Sequence, residues 1–163
     1  MLKRLIPLAL LPMLAACAQT PPDKPDYLTY VSQGQQLPLP PLESIDGQSL
    51  DLALSSKRKL VILFATWCHD SQRTIRDLMA SELARDDDLQ IVGIGREESP
   101  DALARFAKEF GTNFPLVADP DRSLYGRFAN AGIPRLILVD EHNQVVKTLI
   151  GEKPGVLSEV RWQ

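Results

Sequence analysis

The sequence predicts an α/β fold. A continuous apolar run over residues 60–65 and a second buried-strand run over 89–94 are each followed by a segment whose apolar residues recur at helical spacing, and two short strands close the chain around a polar turn. No internal repeat interrupts that alternation. The 163 residues suit one domain, and 44% apolar against 24% charged residues is a globular balance. A net charge of −3 leaves no basic footprint for nucleic acid. Two cysteines, Cys17 and Cys68, are too few for a disulfide-stapled scaffold or a zinc site built mainly from thiolates. Neither a cofactor nor a metal site is expected.

At the start of the chain Lys3 and Arg4 precede an apolar stretch over residues 5–16. It falls short of the roughly 20 residues that span a bilayer and carries Pro7 and Pro12, so residues 1–16 read as a signal peptide. Leu14-Ala15-Ala16-Cys17 resembles the lipobox of bacterial lipoproteins, which implies diacylation of Cys17 and cleavage just before it. An ordinary cleavage site beside an incidental cysteine is the other reading. Ala18, rather than Asp, after the cysteine implies sorting to the outer membrane. The expected location is therefore the bacterial cell envelope, lipid-anchored in the outer membrane and facing the periplasm. Acylation consumes the Cys17 thiol and leaves Cys68 as the one free sulfur. Residues 17–36, with Pro21, Pro22 and Pro25 and no apolar periodicity, read as an extended tether, and the domain is expected over residues 37–163.

Within the domain, Ile45-Asp46-Gly47-Gln48 carries an Asp-Gly turn signal between short, partly alternating segments, which predicts a small entry hairpin. Residues 60–65 form a run typical of a central strand covered on both faces. Ile75, Leu78, Met79 and Leu83 mark the apolar face of a helix starting near Asp70, and residues 89–94 are a second buried strand. Ser99-Pro100-Asp101 supplies an N-cap, a first-position proline and a first-turn acid. The helix they begin buries Leu103, Phe106, Ala107 and Phe110 and ends at Gly111. A short strand over 114–118, a short helix over 122–128, and strands over 136–139 and 145–150 follow, the last two joined by Asp140-Glu141-His142-Asn143. His142 in that turn is expected at the surface.

Cys68 lies between the first buried strand and the first helix, in Ala65-Thr66-Trp67-Cys68-His69-Asp70-Ser71. Unpaired N–H groups and the positive dipole end of a helix stabilise a thiolate there. His69, if protonated, adds to that effect and Asp70 opposes it. The plainer reading is a small apolar cysteine without reactivity.

These residues resemble the thioredoxin superfamily, in particular the TlpA/ResA-like thiol-disulfide oxidoreductases of the redoxin type, and more loosely the peroxiredoxins. The resemblance covers about residues 38–151. It rests on Ile45-Asp46-Gly47, on Phe64-Ala65-Thr66-Trp67-Cys68, on the segment from Phe114 to Asp119-Pro120, and on Gly132-Ile133-Pro134. It implies a thioredoxin-like fold, a central mixed β-sheet flanked by helices with an N-terminal β-hairpin extension. It also implies a cis Pro134 lying against Cys68, with the backbone of Ile133 pairing to substrate chain. Trp67 then covers the surface beside the cysteine, although packing alone would also explain it. The second cysteine of Trp-Cys-x-x-Cys is replaced by Ser71, expected to hydrogen-bond the Cys68 sulfur. Thr74 stands where these proteins often place a glutamate, Arg76 where many have a proline, and Ile62 where thioredoxins proper bury an acid. Arg135 reads as an exposed loop arginine, or else as a cation near Cys68.

Without a resolving thiol, a mixed disulfide on Cys68 cannot be cleared within the domain. The expected function is therefore monothiol thiol-disulfide exchange through Cys68, with cysteine-containing envelope proteins or small thiols as partners. One alternative is a non-catalytic binding or chaperone module on the same fold. The other is a peroxiredoxin-like thiol peroxidase, against which the motif Pro-x-x-x-Thr-x-x-Cys speaks: Thr66 stands two before Cys68 and Val61 occupies the proline position.

Overall fold

The computed structural model describes residues 26–162. The signal peptide, Cys17 and the first part of the expected tether lie outside them. A two-stranded hairpin, β1 (Leu42–Glu43) and β2 (Ser49–Leu50), precedes β3 (Arg58–Phe64), α1 (His69–Ala80), β4 (Leu89–Arg96), α2 (Pro100–Phe110), β5 (Leu116–Asp119), β6 (Arg135–Val139) and β7 (Val145–Ile150). The main sheet has the order β5-β4-β3-β6-β7, with β5, β4 and β3 parallel and β6 and β7 antiparallel. The mixed sheet, its flanking helices and the entry hairpin are those expected from the sequence.

Several boundaries follow from local chemistry. Ser99 caps α2 by accepting from the Ala102 N–H at 3.2 Å, and Gly111 closes the helix in the left-handed conformation at φ 64°. The helix expected over 122–128 shrinks to a 3₁₀ turn, Tyr125–Arg127. The cause is Asp119, whose buried carboxylate takes the Leu124 and Tyr125 N–H groups at 2.9 and 2.8 Å and holds them in a turn. His142 is exposed in the β6–β7 turn, as expected.

Both faces of the sheet are apolar. Leu60, Ile62 and Phe64 of β3 point to one side, where Ile75 and Leu78 of α1 and Leu103 and Phe106 of α2 cover them. Val61 and Leu63 point to the other, joined by Ile137 and Val139 of β6. No long helix covers that second face among the described residues. Its cover consists of Val31, Leu37, Leu42, Leu50 and Leu52 together with Tyr125 and Phe128.

This packing corrects the tether boundary for its described part. Residues 26–36 run along the domain: the Tyr30 N–H donates to the Phe128 carbonyl at 2.7 Å, Gly34 N–H to Val145 O at 2.8 Å, and Val145 N–H to Gln35 O at 2.8 Å. Arg135, read as an exposed loop residue, is fully buried at the start of β6. Its guanidinium donates to Ala131 O at 2.6 and 3.1 Å, to Thr29 Oγ1 at 2.8 Å and to Leu28 O at 3.4 Å. A buried cation needs its donors satisfied, and here the N-terminal segment supplies two of the three acceptors.

If residues 26–36 are structural, Val31→Ala should cost about 2 kcal/mol by loss of buried apolar surface, read as a lowered urea midpoint. A free tether would show no change. Thr29→Val should also destabilise, because it removes an acceptor from the buried Arg135.

Candidate active site

At the end of β3 the chain turns through Thr66 and Trp67 and enters α1 with Cys68 as its N-cap. The Cys68 N–H closes the turn on Ala65 O at 3.2 Å, and its own carbonyl accepts the first helical hydrogen bond from Gln72 N at 2.9 Å. The Cys68 side chain makes no capping bond, so the sulfur is left free of the helix it begins. Cys68 is half-buried, and its S–H donates to the carbonyl of Ile133 at 3.8 Å.

That carbonyl belongs to the expected loop, and Ile133–Pro134 is a cis peptide. Pro134 O accepts from Gly151 N at 2.8 Å, and a Cβ on Gly151 would stand only 2.7 Å from Pro134 Cγ and 3.2 Å from Thr74 Oγ1. Thr74 thus lies buried behind the loop with its hydroxyl unpartnered.

The remaining expected residues divide. Trp67 is 64% exposed, which excludes a core-packing role and puts apolar surface next to the sulfur. His69 is exposed. Asp70 is ion-paired with Arg73 one turn on, so its charge is countered within the helix. The second nitrogen of Arg73 donates to Gly151 O at 2.9 Å and to Glu152 O at 3.1 Å, tying α1 to the chain after β7. Ser71 is fully buried and its Oγ accepts from the Ala65 N–H at 3.4 Å. The expected bond from Ser71 to the sulfur is therefore replaced by one to the strand end. Position 71 faces inward, where the last amide of the β3 run needs an acceptor. The Arg135 guanidinium is taken up by the carbonyls and hydroxyl described above and supplies no cation at Cys68.

The fold brings three further residues to the site: Tyr27, Arg73 and Glu98. Tyr27 lays its ring against Gly132, 3.4 Å from where a Cβ would stand, and donates its hydroxyl to the Glu152 carboxylate. That bond, with some burial, holds the phenol above its ordinary range. Arg73 stands on the polar side of α1 and meets Asp70 and the Gly151 carbonyl. Glu98, just past β4, is buried and bonded to Thr66. A signal for it existed: β3 and β4 are parallel neighbours, with Phe64 opposite Gly95, so a polar residue just beyond β4 falls beside the turn just beyond β3.

The arrangement is a half-buried cysteine at a helix N-terminus, facing a cis-proline loop, with the buried Ser71 hydroxyl in the first turn of the helix. Among known proteins, the thiol-disulfide oxidoreductase ResA of Bacillus subtilis is 28% identical over 124 residues, covering 74% of this chain and 69% of its own length. The solution structure of a candidate protein disulfide isomerase from Bacteroides thetaiotaomicron superposes with TM-score 0.73 at 25% identity, over 81% of this chain and 87% of that one. A secreted disulfide oxidoreductase of Mycobacterium tuberculosis shares the fold, with TM-score 0.59 at 17% identity over 70% of this chain and 84% of its own. The Redoxin family model matches residues 32–161, nearly the whole described domain. With its thioredoxin-like fold and its distant homology to thiol-disulfide oxidoreductases, the chain belongs to the Redoxin family.

Proposed function

We propose that this protein performs monothiol thiol-disulfide exchange through Cys68 in the bacterial cell envelope. The observation that carries the reading is the half-exposed Cys68 sulfur against the Ile133 carbonyl, with a fully buried serine at position 71. The Cys68 thiolate attacks one sulfur of a disulfide R–S–S–R′. A Cys68–S–S–R bond forms, the S–S bond of the substrate breaks, and R′ leaves as thiolate with the electron pair. An external thiolate, from a small thiol or a protein cysteine, then attacks the R sulfur, becomes the new disulfide partner of R, and releases Cys68 as thiolate. The exposed Trp67 ring offers apolar contact for a cysteine-bearing polypeptide at the same mouth. Lipid attachment at Cys17 in the outer membrane belongs to the same reading, supported by the lipobox-like sequence and in keeping with a relative described as secreted.

In protein acid-trapped from cells, Cys68 should be found disulfide-linked to envelope proteins or small thiols by non-reducing mass spectrometry, and Cys68→Ser should lose every adduct. Recovery of Cys68 only as free thiol would instead favour a module that binds without exchange. Peroxide consumption dependent on Cys68 and faster than exchange would favour the peroxidase alternative. Ser71→Cys should create a dithiol that reduces insulin disulfides where the native chain does not. A folded Ser71→Cys protein without that activity would show that the sulfur environment no longer supports the reaction. Cys17→Ser should move the chain from the membrane to the soluble fraction.

A further inference from the structure

We propose that Glu98 is a positioning residue for Cys68, acting through Thr66; the inference rests on exchange at Cys68 and identifies what holds the sulfur in place. Glu98 is 6% exposed, and one carboxylate oxygen, Oε1, accepts from both the Thr66 N–H at 2.7 Å and the Thr66 hydroxyl at 2.6 Å. The Thr66 carbonyl accepts from Gln72 Nε2 at 2.7 Å. Thr66 is thus held at its N–H, its carbonyl and its side chain, by the chain just past β4 and by the first turn of α1. Two of these three bonds end on one oxygen of a single buried carboxyl group, so one side chain fixes both the Thr66 N–H and its hydroxyl.

The geometry that aims Glu98 is itself specific. Glu97 sits in the left-handed region at φ 59°, its N–H bonded to Asp119 O at 2.8 Å, and the Glu98 N–H bonds back to Gly95 O at 3.3 Å. The chain leaving β4 therefore doubles back before α2, which brings Glu98 over the turn leaving β3. Cys68 follows Thr66 by two residues, closes on Ala65 and makes no capping bond of its own. Its own contacts fix the sulfur weakly. The clamp on Thr66, together with the Ser71 bond to Ala65, supplies the rigidity that the single S–H bond to Ile133 does not. A bulky exposed Trp67 between the clamp and the cysteine increases the need for it.

The test is the second-order rate of exchange between Cys68 and 5,5′-dithiobis(2-nitrobenzoate), read as released thionitrobenzoate, using the full chain with Cys68→Ser as the blank for Cys17. Glu98→Gln keeps an oxygen acceptor for both Thr66 donors and should react within about twofold of the native rate. Glu98→Ala and Thr66→Val should each react about tenfold more slowly, as misplacement of a reacting group does, and Thr66→Ser should restore the rate. Thermal melts accompany each variant, and Thr66→Val reads the clamp if Glu98→Ala does not fold. Native-like rates in folded Glu98→Ala and Thr66→Val, despite lowered melting temperatures, would reduce Glu98 to a stabilising contact and overturn the proposal. Equal slowing in Glu98→Gln and Glu98→Ala would assign the effect to charge and overturn it too. A native chain whose Cys68 does not react at all would instead refute the exchange reading itself.

Discussion

The structure is governed by one constraint: a five-stranded sheet that is apolar on both faces but has its two long helices on only one of them. Leaving Val61, Leu63, Ile137 and Val139 in water would forfeit about 1.5–3 kcal/mol for each side chain. The second face must therefore be covered by chain that is not helical. The N-terminal segment, the entry hairpin and the turn over 122–129 do this together. Coil on a sheet carries unpaired backbone groups with it, and they are satisfied by the pairs between residues 29–37 and the segments around Ala129 and Gln144. Arg135 belongs to the same arrangement, a buried cation whose donors are met by Ala131 on one side and by the N-terminal segment on the other.

Covering that face also builds the site. The covering turn buries Tyr125, whose hydroxyl donates to Gly132 O at 2.8 Å and anchors the start of the cis-proline loop. β6 lies antiparallel to β3 with Leu63 opposite Arg135, so the residue just before β6 meets the turn just after β3. The Ile133 carbonyl comes to the Cys68 sulfur by strand register. Glu98 comes to Thr66 by the parallel register on the other side of β3. Two neighbouring turns, each just outside a strand end, therefore reach the turn that carries Cys68, because β3 is the central strand between β4 and β6.

Much of this was legible in the sequence. α2 could be read residue by residue, since Ser99, Pro100 and Gly111 act through their own backbone and need no tertiary context. The runs around Leu60 and Leu89 declared buried strands, and Asp46-Gly47 declared the hairpin turn. The cis proline and Cys68 were placed by resemblance. What stayed hidden depends on contacts distant in sequence. Residues 26–36 carry too few apolar side chains to show a period, and the burial of Val31 is set by the empty face of a sheet built later in the chain. Arg135 looks like a surface residue until the carbonyls of residues 28 and 131 surround it. Ser71 and Glu98 form bonds to backbone amides, and composition does not show which amide lacks a partner.

Under the proposed reading, the described residues hold no second thiol beside Cys68, and this sets the kinetics of exchange. An intramolecular thiol attacks at an effective concentration that exceeds what dilute external thiols reach. Under the proposed reading the Cys68 adduct therefore lasts for a time inversely proportional to the supply of external thiol and to its access past Trp67. The buried Ser71 hydroxyl cannot shorten that time, because it is engaged with Ala65 and no base stands beside it. Exchange and retention are then two regimes of one chemistry, divided by the thiol content of the surroundings. The same Cys68, Ile133 and Trp67 surface serves both regimes.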